Sequence, residues 1–120
     1  MTDLSREKAL KLIEAYFDGV YQGDIDNIPL HPEVTFQGTM VPNKIHGEQE
    51  VRSFLSDVSA AFEDADVKFI RDIIDGDFVC SEVELTLTTG KRIFLCDVFE
   101  IKEDRIKSIR PYFDPRPMLD

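Results

Sequence analysis

The 120-residue chain contains no tryptophan, only two cysteines and two histidines, and no block of like charge. Cys80 and Cys96 are too few for a disulfide framework and lack metal-ligand spacing. His31 and His46 have no acidic partner at ligand spacing, so neither a metal nor another cofactor is expected. The glycines are isolated, which excludes a phosphate-cradling loop. No apolar run approaches the roughly eighteen residues of a membrane-spanning helix. The opening MTDLSREKAL carries acids and no apolar core, so the expectation is no signal peptide and a cytoplasmic protein.

What is present is acid: 24 Asp and Glu against 14 Lys and Arg, a formal charge of −10. That charge repels a phosphate backbone and an anionic membrane face, so neither nucleic acid nor membrane is an expected partner. The hydrophobic fraction of 42% includes nine Phe and is enough for one hydrophobic core. We therefore read residues 1–120 as a single domain, with a short Pro-rich tail from about residue 114.

From Ser5, an N-cap candidate, apolar residues recur at Ala9, Leu12, Ile13, Tyr16, Phe17, Val20 and Tyr21, the spacing of an amphipathic helix that Gly23 ends. Asp24 can cap a short helical turn through Ile28, and His31-Pro32 reads as loop. Val34–Gln37 reads as a short strand, followed by the loop GTMVPNKI. After His46-Gly47, the residues Val51, Phe54, Leu55, Val58 and Phe62 mark a second helix, to about Ala61. From Asp66 the period becomes two, with strands at about 66–74, 78–88, 92–102 and 105–113 and a tight turn at Asp75-Gly76-Asp77. Helices first and strands last predict an α+β fold, with a mostly antiparallel sheet covered on one face by the helices.

One residue breaks the strand pattern. Ile93, Leu95, Phe99 and Ile101 share an inward face, and the remaining residue of that face is Asp97. A three-residue connection at Thr89-Gly90-Lys91 would set Asp97 opposite Val83, Cys80 opposite Glu100 and Cys96 opposite Glu84, keeping the thiols about four rungs apart. A carboxylate among apolar side chains either finds a cation or takes up a proton. An odd register of the last hairpin pairs Asp97 with Arg110; an even register sets it opposite Pro111 and keeps Ile109 and Phe113 inside. Tyr16, on the buried stripe of the first helix, brings a hydroxyl that needs a partner there.

The segments AYFDGVYQGDIDNI, IHGEQEVRSFL, and FLCDVFEI followed by DRIKSIRPYFDP, in that order, resemble the ketosteroid-isomerase-like, SnoaL-like superfamily, also called nuclear transport factor 2-like. The resemblance implies a cone-shaped, curved, mostly antiparallel sheet with the helices on its concave face around a pocket, and often dimers. It also implies that Tyr16 and a protonated Asp97 donate hydrogen bonds to a ligand oxygen. The position of the proton-shuttling Asp of ketosteroid isomerases falls on Gly38, which has no side chain for the task; His46 is a candidate replacement base.

The expected occupant is a small, mostly apolar, carbonyl-bearing molecule enclosed by Phe54, Leu55, Val83, Leu85, Leu95, Phe99, Ile109 and Phe113. Isomerase- or cyclase-type chemistry and a non-catalytic binding or interaction module are both open at this point. Phe78, Phe94 and Val98 on the opposite sheet face predict a homodimer.

Overall fold

The computed structural model describes residues 5–119. The first helix, α1, spans Arg6–Gln22. Ser5 caps it, its Oγ accepting from the Lys8 N–H at 3.1 Å, and Gly23 ends it in the left-handed region at φ 80°. Its apolar stripe is buried at Ala9, Ile13, Tyr16, Phe17 and Val20. A short 3-10 turn, Ile25–Asn27, follows. The Asp24 side chain accepts from no backbone N–H of that turn; its carboxylate accepts instead from Asn27 Nδ2 at 2.8 and 3.0 Å.

Next come β1 (Leu30–Phe36), the two-residue β2 (Ile45–His46) and α2 (Glu48–Ala61). Four long strands complete the chain: β3 (Asp66–Asp75), β4 (Phe78–Thr86), β5 (Arg92–Lys102) and β6 (Arg105–Phe113). The six strands form one sheet in the order β2-β1-β6-β5-β4-β3. Only the β1–β6 pair is parallel. This is the expected α+β arrangement, with one strand that starts earlier than its sequence signals suggest.

That strand contains His31 and Pro32, which read as loop. Proline survives there because the β1–β6 register shifts between Leu30 and Thr35, and β2 pairs only with Thr35 and Phe36. No ladder hydrogen bond is therefore asked of its missing N–H. His31 is buried; its Nδ1 accepts from the Glu33 N–H at 3.0 Å and its Nε2 lies 3.2 Å from Glu103. It fixes the strand to the β5–β6 turn and lies outside the cavity described below.

The β4–β5 register differs from expectation by two residues. Leu87 N–H donates to the Lys91 carbonyl at 2.8 Å, so the turn is Thr88-Thr89-Gly90, and Gly90 takes its last position at φ 89°. A three-residue hairpin wants its left-handed residue last, and only glycine occupies that conformation without strain. Asp97 consequently faces Ser81 rather than Val83. The shift preserves parity, so Asp97 stays on the inner face and is 4% exposed.

The same shift corrects the cysteines. Cys80 pairs with Val98 and Cys96 with Glu82, which makes the thiols diagonal neighbours rather than distant ones. Both are free. Burial, and then a hydrogen bond with Cys80, pushes the Cys96 thiol up to about 12.

In the last hairpin Phe99 faces Ile109 and Asp97 faces Pro111, which is the even register. Arg110 pairs with Val98 and is exposed, so it makes no ion pair with Asp97.

Candidate functional site

A cavity of about 130 Å³ lies between the inner face of the sheet and the two helices. Helix α1 contributes Tyr16, Val20 and Tyr21, and α2 contributes Phe54, Leu55 and Val58. Leu85, Ile93, Leu95, Asp97, Pro111 and Phe113 form the sheet wall, because they occupy inward positions on β4, β5 and β6. The exposed residues Thr39 and Met40 of the β1–β2 connection mark the open end. Met118 reaches the same cavity from a 3-10 turn at Arg116–Met118.

Of the residues expected to enclose a ligand, Phe54, Leu55, Leu85, Leu95 and Phe113 line this space, together with Tyr16 and Asp97. Val83, Phe99 and Ile109 do not. They are 0–1% exposed and belong to the packed core beside the cavity. Phe99 lies under the ring of Tyr16 in an edge-to-face contact, with centroids 4.9 Å apart, and so orients that ring instead of meeting the space above it. His46 is exposed on β2, opposite Thr35, and is not part of the wall.

Gly38 is at the wall, and the structure shows what replaces the missing side chain. A Cβ there would come 2.9 Å from Pro111 Cγ. Pro111 thus occupies the space that an acidic side chain at this position would need.

The polar content of the wall is concentrated. Asp97, Tyr16 and Tyr21 are the titratable side chains among the described residues of the lining, and no basic residue is with them. Burial raises the Asp97 carboxyl from 3.8 to about 7. Tyr16 is held well above the ordinary phenol value, first by burial and then by the nearby Asp97 and Tyr21. Tyr21 rises for the same reasons, burial first and Asp97 second. Among the described residues, none of the three side chains has a hydrogen-bond partner in the protein. Nor is any of their polar atoms sealed off entirely, and all three residues line the cavity.

Such a wall can act in two ways. With Asp97 protonated it offers three O–H donors to one acceptor; with Asp97 ionised it offers a base flanked by two donors. Tyr21 was not singled out by the sequence, although it lies on the same helical stripe as Tyr16. Five residues apart on a helix, the two sit at different margins of that stripe, and both line the cavity with Asp97.

The chain matches a domain of unknown function, DUF4904, over residues 4–120. It belongs to that family. Its fold is the nuclear transport factor 2-like, SnoaL-like, ketosteroid-isomerase-like fold. A de novo designed protein with a curved β-sheet is 26% identical and superposes with a TM-score of 0.81, over 94% of this chain and 90% of the other. A protein from Jannaschia sp. CCS1, provisionally described as a SnoaL-like polyketide cyclase, is 14% identical with a TM-score of 0.80 over 99% and 95%. An NTF2-like protein of unknown function from Cytophaga hutchinsonii is 18% identical with a TM-score of 0.76 over 92% and 94%. No curated protein matches the sequence. The DUF4904 domain thus shares its fold with proteins described by different activities or by none.

Proposed function

We propose that the cavity binds a small, mostly apolar molecule through one carbonyl or enol oxygen, which Tyr16 and protonated Asp97 polarise by donating hydrogen bonds. The observation that carries this reading is the set of buried protic groups that lack partners in the protein and face an otherwise apolar space. Groups of this kind cost free energy unless something satisfies them, and a ligand oxygen does so. Polarisation of this type stabilises an enolate, which suits isomerase- or cyclase-type chemistry.

Proton transfer in such a reaction needs a base. With Pro111 filling the space beside Gly38 and His46 outside, the base is the ionised form of Asp97, which takes the proton from the carbon next to the carbonyl while Tyr16 still donates to the oxygen. The elevated midpoint of about 7 keeps both forms of the carboxyl populated near neutrality. The lack of a second base at Gly38 favours a second reading, a binding protein without turnover.

Solvent exchange separates the two readings. Cyclohexanone incubated with the protein in deuterium oxide is expected to gain deuterium next to its carbonyl faster than without protein, and Asp97→Asn to abolish the gain. Binding without any gain selects the non-catalytic reading. If Asp97→Asn and Tyr16→Phe leave the affinity for cyclohexanone unchanged, polarisation by this pair is wrong.

The same proposal includes a homodimer through the outer sheet face. Phe94, Tyr112, Ile73 and Phe78 are 61, 55, 52 and 42% exposed there, an apolar face that a second copy would cover. Light scattering at micromolar concentration is expected to give twice the chain mass, and Phe94→Glu to give the monomer with unchanged circular dichroism. A monomer mass for the unmodified protein would overturn this.

A further inference from the structure

We infer that the ligand is a neutral, single-ring or comparably short carbonyl compound, and that Tyr21 is a third donor to its oxygen. This rests on the carbonyl-binding reading and narrows it to a size, a charge and a further residue.

Size follows from the volume of about 130 Å³. An apolar protein cavity of about 150 Å³ holds one benzene ring, so a fused second ring, and still more a four-ring steroid, exceeds the space. The innermost part of the wall does not readily give way. Leu55, Leu85 and Ile93 are 0, 1 and 2% exposed and sit on three different elements, so enlarging the space means moving close-packed side chains of α2, β4 and β5 together. Among the lining residues only Thr39 and Met40 are exposed, so room for a substituent opens on that side.

Charge follows from composition. No basic side chain among the described residues faces the cavity, so a carboxylate or phosphate would be buried without a counter-charge, and would meet repulsion as well whenever Asp97 is ionised. A neutral acceptor meets the opposite situation: hydroxyl groups on two tyrosines and a carboxyl that donates when protonated.

Tyr21 belongs to this set because it lines the same space as Tyr16 and Asp97 and, like them, has no partner among the described residues. Its ring is stacked on Phe17, with an interplanar angle of 13° and centroids 6.1 Å apart, which restricts its swing away from the cavity. A carbonyl oxygen accepts two hydrogen bonds in its plane. Three donors thus share two acceptor positions, and Tyr21 takes the one that Asp97 vacates when it is ionised and ceases to donate.

The test is a titration with five defined probes, followed by NMR shifts of the protein at pH 6: cyclohexanone, 1-tetralone, androst-4-ene-3,17-dione, cyclohexanecarboxylate and methylcyclohexane. Cyclohexanone is expected to bind at least tenfold more tightly than tetralone, the steroid or the carboxylate. Tyr21→Phe should weaken cyclohexanone about three- to tenfold, the worth of one neutral hydrogen bond, and leave methylcyclohexane unchanged. At pH 8 the loss caused by Tyr21→Phe should be larger than at pH 6. Tighter binding of tetralone, the steroid or the carboxylate overturns the size or charge assignment, and an equal affinity of Tyr21→Phe for cyclohexanone overturns the role of Tyr21. In both cases a loss on Asp97→Asn would leave the carbonyl-binding reading intact. If methylcyclohexane binds as well as cyclohexanone and Asp97→Asn changes neither, or if no probe binds, the carbonyl reading fails and this inference with it.

Discussion

Asp97→Asn is expected to leave the unfolding free energy unchanged near pH 4 and to raise it at pH 8 by about 2–4 kcal/mol. The unfolded carboxyl releases its proton near 3.8, and the folded one holds it to about 7. A group whose pKa is raised by folding contributes stability that is fully present below the unfolded value and is lost as pH rises through the folded value. Over roughly three pH units, at about 1.4 kcal/mol each, the loss approaches about 4 kcal/mol, and water entering the cavity relieves part of it. Asparagine has the same shape and no charge to bury, so it escapes the loss. The groups facing Asp97 are Tyr16 and Tyr21 from α1, Ser81 from β4 and Pro111 from β6, and none is a cation. Ser81 is engaged elsewhere: its hydroxyl donates to Asp72 Oδ1 at 2.6 Å. Urea unfolding of both proteins from pH 4 to 8 checks the prediction. A wild type more stable than the variant at pH 8, with the difference disappearing on acidification, would mean that a cation holds Asp97 ionised.

Gly19→Ala is expected to destabilise the protein by about 2 kcal/mol, although alanine is the better helix former by about 1 kcal/mol. Gly19 lies inside α1 and is buried against the segment that follows the helix. A Cβ there would come 2.2 Å from Ile28 Cγ1, 2.5 Å from Ile28 Cδ1 and 3.0 Å from the Asp24 carbonyl oxygen. Ile28 is 2% exposed, so it has no free direction in which to move. Overpacking of this kind costs about 1–3 kcal/mol beyond any helical gain. Ile28→Ala alone should cost about 2–5 kcal/mol through the space it leaves. Together the changes should cost at least about 1 kcal/mol less than their sum, because the new methyl group occupies the volume that Ile28 vacates. Strict additivity in a double-mutant cycle, or a Gly19→Ala protein as stable as the wild type, would refute the contact.

The glycine illustrates where sequence reasoning runs out. In α1 it appears only as a weak point in a helical pattern, since the residue it accommodates comes after the helix has ended. Tyr21 escapes such reasoning for a related cause: a helical stripe tells which residues are buried, and not which of them look onto empty space. His31 was read as loop because proline follows it, and the unpaired stretch of β1 that tolerates proline is a property of its neighbours.

Three features were settled by the sequence: the helical stripe of α1, the alternation of β4 and β5, and the parity that puts Asp97 inward. Each depends on local periods of 3.6 or two residues, which adjacent side chains enforce whatever the rest of the chain does. The tertiary structure decided the rest. Gly90 set the last position of the β4–β5 turn and so moved Asp97 from Val83 to Ser81 and brought Cys80 to Cys96. A two-residue slip costs nothing in local pattern, because every side chain keeps its face, and only the conformation of the turn and the packing across the sheet choose between the registers. Volume is non-local for the same reason: whether Leu85, Leu95, Val83 and Phe99 line a cavity or fill the core depends on how far the helices stand off the sheet, which no single segment encodes.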